Sequence, residues 1–155
     1  MKLYHGSNVA IVEVNLSKSK PFKDFGKGFY LSDNIEQAFE MAKFKVSLFK
    51  GEPIVTSFEF DQEGMYSSSL KKKIFDNYYS EWLDFVIDNR LGRKCEIYDF
   101  VYGPIADDKV GLQLQKFNEG AIDKKELLYR LKYIKGITFQ YYFGTEESLK
   151  YLIPV

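Results

Sequence analysis

The chain has 155 residues, which fits one domain (1–155) that is large enough to bury a core without metal or disulfide support. Lysine plus arginine and aspartate plus glutamate both number 22, so no global basic field draws the protein onto nucleic acid. Because Cys95 is the one cysteine and His5 the one histidine, internal disulfides and Cys/His zinc sites are excluded, and we expect no metal.

The N-terminal third predicts two short strands followed by a helix. Residues 2–5 form the first strand, and no charged segment leading into an apolar run precedes it, so we expect a cytoplasmic protein. No stretch approaches the roughly 20 apolar residues of a membrane span, and we expect no membrane association. Residues 29–31 form the second strand. Asp33 and Glu36 then match a capping box, and the following helix is predicted to bury one apolar face made of Ile35, Ala38, Phe39, Ala42, Val46 and Phe49.

The remaining chain mixes strands and helices without regular alternation. Residues 54–60 alternate as a half-buried strand does. Ser80 and Asp123 are each predicted to cap a helix, the first ending near Gly92 and the second carrying Leu127, Leu128, Leu131 and Ile134. Residues 96–102 and 137–143 are predicted strands, and residues 145–152 a short final helix. The pattern favours an α+β domain with mainly antiparallel strands over a doubly wound sheet.

Two glycine-rich breaks beside strands are the candidate ligand site. At His5-Gly6-Ser7 the missing Cβ lets a planar amide approach the Gly6 backbone, while His5 and Ser7 can bond ribose hydroxyls. At residues 26–30 a glycine-rich segment containing Gly28 leads to Tyr30, whose ring can stack on nicotinamide. Each motif on its own also has a purely structural explanation. For residues 5–7 this is a glycine turn with a satisfied histidine, and for residues 26–30 it is a hairpin with a core tyrosine.

Together the motifs resemble the ADP-ribosyltransferase superfamily of the His-Tyr-Glu type, which contains diphtheria toxin and the poly(ADP-ribose) polymerases. Residues 4–7 are similar to the polymerases' histidine-glycine motif, and residues 25–33 to their glycine-lysine-glycine-aromatic strand. The chain looks more closely like a small bacterial family of uncharacterised ADP-ribosyltransferase-like proteins often encoded beside a short antitoxin-like partner. That closer resemblance is carried by residues 24–32, 82–90, 98–108 and 140–152 and spans nearly the whole chain.

The resemblance implies a split β-sandwich with peripheral helices that uses NAD as co-substrate. His5 would bond the adenosine ribose, Gly6 would pair with the carboxamide, and Tyr30 would stack on nicotinamide. Ser7 and Gly28 would complete the NAD site. The expected activity is mono-ADP-ribosylation of a protein or nucleic-acid acceptor by a bacterial toxin or defence effector, neutralised by a small antitoxin protein.

The resemblance fails at the third catalytic position, where the polymerases have a glutamate and this chain has Gln140. A carboxylate stabilises the oxocarbenium ion that develops at the ribose, whereas an amide can only hydrogen-bond and orient the 2′-hydroxyl. Gln140 therefore predicts mono-ADP-ribosylation, with a catalytically weak or inactive NAD or ADP-ribose binder, or an NAD glycohydrolase, as alternatives. Replacing Gln140 by glutamate is expected to restore charge stabilisation unless the site is shaped against a carboxylate.

Several charged residues near the ends of predicted elements are weaker candidates. Glu146 and Glu147 could supply a carboxylate, although acidic residues in the first turn after a Thr145 cap are common. Arg90 and Asp99 could contact the pyrophosphate or an acceptor, and each could equally belong to a salt bridge. We keep both interpretations open for these four residues.

Overall fold

The structure is a computed structural model that describes residues 1–94, 96–106, 109–132 and 136–155. These residues contain seven strands, namely β1 (Lys2–Ser7), β2 (Phe29–Leu31), β3 (Ile54–Phe60), β4 (Lys72–Ile74), β5 (Phe100–Pro104), β6 (Phe139–Phe143) and β7 (Leu152–Pro154). They also contain six α-helices, namely α1 (Ile35–Phe49), α2 (Gln62–Ser67), α3 (Ser80–Arg90), α4 (Val110–Asn118), α5 (Lys124–Leu131) and α6 (Glu146–Leu149). Cys95 and Ile134, named in the sequence analysis, and the last two residues of its segment 98–108 lie outside the described residues.

The strands form two sheets. One has the order β1-β3-β7 and is antiparallel throughout, and the other has the order β2-β6-β5-β4 and is antiparallel except between β4 and β5. Two backbone hydrogen bonds between Tyr4 on β1 and Ser32, just after β2, connect the sheets. The α+β class with mainly antiparallel strands is confirmed.

The core has two parts that set the layer order. Between the sheets, Leu3, Phe58 and Phe60 of the first sheet pack with side chains of the second, among them Phe100, Tyr141 and Phe143. The other face of the second sheet presents Val101 and Tyr142 to buried residues of α3, α4 and α5. Helix α1 covers the outer face of the first sheet. Helices α1, α3, α4 and α5 therefore lie on the outer faces of the two sheets.

Helix α1 differs from its prediction at both its cap and its buried face. Asn34, and not Asp33, is the N-cap, and its side-chain oxygen accepts hydrogen bonds from the backbone N–H groups of Glu36 and Gln37. Only the small Ala38 and Ala42 are fully buried. The predicted apolar face is therefore confirmed for Ala38 and Ala42 and wrong for its large members Ile35, Phe39 and Phe49, which are exposed. The helix backbone lies so close to β1 that large side chains do not fit between them.

The other elements are confirmed with shifted boundaries. The half-buried strand β3 matches its prediction, and Asp123 caps α5 by accepting from the Glu126 N–H. Ser80 is instead the first residue of α3, after an N-cap at Tyr79 that makes no side-chain cap bond. Gly92 follows the end of α3 with φ +68°. The final helix stops at Leu149, and Leu152–Pro154 pairs with β3 as strand β7, which adds long-range ladder bonds that a helix there would lack.

In the described parts of the chain, no helix is both long enough and apolar enough to cross a membrane.

Candidate functional site

His5 lies on β1 at the point where the two sheets are joined. Its ring stacks on Phe29 with 4.3 Å between ring centroids, and its Nδ1 lies 2.7 Å from the backbone oxygen of Tyr30. Because a carbonyl oxygen can only accept, Nδ1 carries the proton and Nε2 is left as an acceptor. Burial and the nearby Lys45 amine lower the pKa of His5 to about 4. The ring is therefore neutral at physiological pH, and it is not a source of an ionisation between pH 6 and 7.

Gly6 is required by the packing of α1 on β1. A Cβ at this position would overlap the backbone carbonyl of Ala38 on α1. Since Tyr4 bonds Ser32 rather than β3, the N–H and C=O of Gly6, two residues further on, point to that same edge of β1. The Gly6 carbonyl accepts a 3.0 Å hydrogen bond from Lys45 Nζ and keeps a second lone pair.

Three lysines, Lys20, Lys23 and Lys45, form a cationic cluster around this edge. Lys45 Nζ lies 3.5 Å from His5 Nε2, and Lys23 Nζ lies 5.4 Å from the centre of the Tyr30 ring. Lys20 Nζ lies 4.2 Å from the centre of the Phe49 ring. Among the described residues, none of the three amines has a carboxylate within the 4.0 Å of a salt bridge.

The lysines raise each other's electrostatic energy. Burial, followed by repulsion from Lys23 and Lys20, lowers the pKa of Lys45 to about 8. The pKa of Lys23 is lowered by burial first and then by Lys20 and Arg90, against which Asp24 acts in the opposite direction. Partly buried like charges that form no salt bridge are costly, and a bound anion would relieve that cost.

The Tyr30 side chain is fixed by hydrogen bonds at its hydroxyl and by contacts of its ring. Its hydroxyl donates to the Gly26 carbonyl at 2.6 Å and accepts from the Phe25 N–H at 3.0 Å. Burial, with a further contribution from Asp24, raises the pKa of this phenol well above its usual value. The ring packs against Phe25 and, edge-on, against Tyr142. Tyr30 therefore stays a neutral phenol.

The rings of His5 and Tyr30 lie on opposite sides of β2. Phe29 faces the core between the sheets, where its ring stacks with that of His5. Tyr30, the next residue, packs on the opposite side with Phe25. The two predicted residues are joined through the Tyr30 backbone, and Lys23 acts electrostatically on His5 while standing over the Tyr30 ring. The structure thus brings the two motifs together at the cationic cluster.

Gln140 lies on β6 on the same side as Tyr30. Tyr142 pairs with Tyr30, and Gln140 is two residues along the strand, so its side chain points to the same face. Tyr141, the residue between them, points into the core between the sheets. The Gln140 amide donates from Nε2 to Asp24 Oδ2 at 3.1 Å. Its Oε1 has no hydrogen-bond partner among the described residues.

Asp24 is the buried centre of this network, with 6% of its surface exposed. Its Oδ1 accepts from Arg90 Nε at 2.8 Å and lies 2.7 Å from the second guanidinium nitrogen, NH2. Both oxygens are therefore engaged, one by Arg90 and the other by Gln140. For Arg90, the salt-bridge interpretation is confirmed.

The remaining candidates have structural partners. A Cβ at Gly28 would overlap the Tyr142 ring, and the buried Ser7 hydroxyl lies 3.5 Å from Asn8 Oδ1. Asp99 accepts from the Lys71 N–H and from the Thr145 hydroxyl. Glu146 and Glu147 occupy the first turn of α6 after the Thr145 cap, as their simpler interpretation predicted.

Sequence reasoning missed the three lysines and the role of Asp24. Lys45 follows Ala42 by three residues and therefore lies on the side of α1 that faces the sheet. This position can be recognised in the sequence only if Ala38 and Ala42, and not the large apolar residues, are taken as the buried face. Asp24 and Arg90 are 66 residues apart, and Asp24 and Gln140 are 116 residues apart. No local pattern encodes such contacts.

Two surface grooves are lined by residues outside the lysine cluster, and the second borders Arg90, the salt-bridge partner of Asp24. One of about 680 Å³ borders α5 and includes Tyr129 and Arg130, and one of about 410 Å³ includes Phe22, Arg90 and Leu114. The described residues contain no group of three or more acidic, histidine or cysteine side chains suited to a metal ion.

Residues 1–153 match a protein family described as a protein of unknown function, DUF3990. The chain belongs to this family. No curated protein and no solved structure matches it. The family description carries no activity, so a function has to be inferred from the chemistry of the site.

Proposed function

We propose that this protein binds NAD and transfers single ADP-ribose groups from it to a macromolecular acceptor, on a split β-sandwich of the ADP-ribosyltransferase type. The observation that carries the proposal is the cluster of Lys20, Lys23 and Lys45 beside His5-Gly6 and Tyr30. These motifs were selected from the sequence for nicotinamide and ribose, and the lysines add the charge that a diphosphate needs.

The ligand class follows from the charge and shape of the site. A diphosphate carries two negative charges, and ammonium groups without carboxylate partners are its natural counterions. The Gly6 backbone offers an N–H and a C=O on one edge, which matches the acceptor and donor of a carboxamide. A dinucleotide with a diphosphate and an amide-bearing ring satisfies both requirements, and NAD is such a molecule.

In the proposed reaction the bond between nicotinamide and C1′ of the ribose breaks, and nicotinamide leaves with the bonding electrons. A nucleophilic oxygen or nitrogen of the acceptor then attacks C1′ and releases its proton to water. The protein's contribution is mainly positional, because holding NAD and the acceptor together removes much of the entropic barrier. Gln140 orients the 2′-hydroxyl without supplying a charge, which favours transfer of one unit over chain elongation.

The biological setting is proposed from the sequence resemblance alone. A toxin or defence effector acting in the cytoplasm would modify a cellular protein or nucleic acid, and a small antitoxin protein would restrain it. Induction of the chain in bacteria, with and without Lys45→Ala, tests the toxic role. Growth arrest by the wild-type chain that the variant abolishes would support it.

A catalytically weak NAD binder, or an NAD glycohydrolase, is the second candidate function. It is favoured by Gln140, whose amide contacts Asp24 and brings no negative charge of its own to the ribose. Water as the only acceptor would give free ADP-ribose, whereas a binder would release no nicotinamide.

Calorimetry with NAD, together with an assay of nicotinamide release with and without cell extract, tests the proposal. Micromolar or tighter binding, nicotinamide release and a mass increase on an acceptor are expected. Absence of NAD binding would refute the function. Binding without release would leave the binder, and release without any labelled acceptor would leave the glycohydrolase.

A further inference from the structure

The amide of Gln140 is anchored at its nitrogen, while its oxygen is not bonded by any residue that the structure describes. Nε2 donates to Asp24 Oδ2 at 3.1 Å, while Oε1 has no partner among the described residues. A carboxylate accepts hydrogen bonds only, so it selects the amide orientation in which the nitrogen faces Asp24. The oxygen of Gln140 is then the atom presented on the Tyr30 side of the sheet.

Asp24 is itself fixed, so it can impose this orientation. The carboxylate is buried, and Arg90 engages its Oδ1 through two guanidinium nitrogens, leaving Oδ2 for the amide. Rotation of the carboxylate would break the charge-assisted bonds to Arg90, which are stronger than bonds between neutral groups. A buried carboxylate beside an amide N–H also polarises the amide and makes its oxygen a better acceptor.

We propose that Asp24 is a positioning residue that turns Gln140 so that its oxygen, and not its nitrogen, meets the ribose 2′-hydroxyl. This inference rests on the proposed NAD site. The direction of the bond matters to the chemistry. An oxygen that accepts from the 2′-hydroxyl adds electron density next to the developing oxocarbenium ion, whereas an N–H donor withdraws it.

The test compares binding of NAD with that of its 2′-fluoro analogue on the nicotinamide ribose, which cannot donate a hydrogen bond. Dissociation constants are measured by calorimetry. Wild type is expected to bind NAD about tenfold more tightly than the analogue, the value of roughly one good hydrogen bond. In Asp24→Asn the new amide N–H faces Gln140, so Gln140 turns its oxygen inward and the preference for NAD is lost or reversed.

Two controls separate positioning from a merely structural role. The quantity compared is the ratio of the dissociation constant of the 2′-fluoro analogue to that of NAD. Asp84→Asn removes a carboxylate paired with Lys124 on the surface of α3 and should leave this ratio at its wild-type value. Gln140→Leu, which keeps the approximate volume without a polar atom, should bring the ratio close to one. A loss of stability alone would weaken the binding of both ligands equally and leave the ratio of their dissociation constants unchanged.

A measurement on the wild-type protein covers the case in which Asp24→Asn fails to fold. The side-chain amide signal of Gln140, assigned by its loss in Gln140→Leu, should show slow hydrogen exchange in the nitrogen-15 spectrum of the free protein. Fast exchange would overturn the inference, as would an equal affinity of wild type for the two ligands or an unchanged ratio in Asp24→Asn. No binding of NAD by wild type would overturn the proposed function, and this inference with it.

Discussion

The backbone carbonyl of Ala38 occupies the space that a side chain at Gly6 would need. Helix α1 can lie directly on β1 because the strand has a glycine there and the helix presents two alanines. The glycine that the sequence assigned to a ligand thus has a packing role that is sufficient by itself. Any ligand at the Gly6 backbone approaches along the edge of the strand, from the side of Lys45.

Gly6→Ala is expected to destabilise the protein by about 2–3 kcal/mol, because the helix must move away from the sheet to admit one methyl group. The free energy of unfolding, measured by denaturant titration, checks this. Gly111→Ala is the matched control, since a Cβ there meets nothing within 4 Å and alanine favours a helix. Equal stability of wild type and Gly6→Ala would contradict the packing of α1 on β1.

His5 should make folding stability fall in mild acid. Its folded pKa is about 4, below the 6.5 of the unfolded state, so between these values the unfolded chain binds a proton that the folded chain does not. Stability from the neutral ring is complete above pH 6.5 and is lost as the pH falls toward 4, with a slope of up to about 1.4 kcal/mol per pH unit.

His5→Asn isolates this term from the carboxylates that titrate in the same range. Asparagine can still donate to the Tyr30 carbonyl but has no ionisation there. The difference in unfolding free energy between wild type and variant should therefore change with pH between 6 and 4. A difference that is constant over this interval would show that the imidazole is accessible to solvent.

The sequence predicted best where one local pattern decides the outcome. The alternation in β3 and the Asp123 cap are short-range signals, and both are confirmed. The buried face of α1 was predicted correctly at Ala38 and Ala42 and wrongly at its large residues, because side-chain size, and not hydrophobicity, decides which residues fit against β1. Large apolar residues satisfy a helical period, yet only alanines fit over Gly6.

The residues of the candidate site likewise fall into those that a local pattern predicts and those that it does not. His5 and Tyr30 could be selected because each belongs to a short motif, and the hydrogen bond between them fixes their relation. The lysine cluster and the Asp24 contacts depend on how separate segments meet in three dimensions. A single sequence contains no local pattern that predicts contacts between segments so far apart in the chain.

Lys45 should control the pH dependence of NAD binding. Its pKa is about 8, so the amine loses its charge as the pH rises through that value, and affinity for a diphosphate should fall. Lys45→Ala is expected to weaken binding about tenfold to a hundredfold, the value of a charge-assisted hydrogen bond. Lys45→Arg should keep its affinity across the alkaline range, because a guanidinium stays protonated.

The control for Lys45 is Lys43→Ala on the same helix, where the amine is already paired with Glu40 at 2.6 Å. It removes the same charge from the protein without touching the cluster, so calorimetry should find nearly wild-type affinity. Equal losses in Lys43→Ala and Lys45→Ala would mean that NAD responds to overall charge, and the binding site would have to be sought elsewhere.

Gln140→Glu alone should fail to raise NAD cleavage, because Asp24 occupies the position next to it. The substitution replaces an N–H donor 3.1 Å from Asp24 Oδ2 by a second carboxylate. Two carboxylates at that distance cannot both ionise readily, so the pair retains a proton and little charge is gained at the ribose. Combining Gln140→Glu with Asp24→Asn removes the repulsion. The new side-chain amide at position 24 then donates to the new carboxylate, while its oxygen still accepts from Arg90. The double variant should release nicotinamide about tenfold faster than wild type or more, since added electrostatic stabilisation of the transition state is commonly worth at least that much.

The measurement is the rate of nicotinamide release at saturating NAD for wild type, both single variants and the double variant. A single Gln140→Glu variant as fast as the double variant would show that Asp24 does not oppose a carboxylate at position 140.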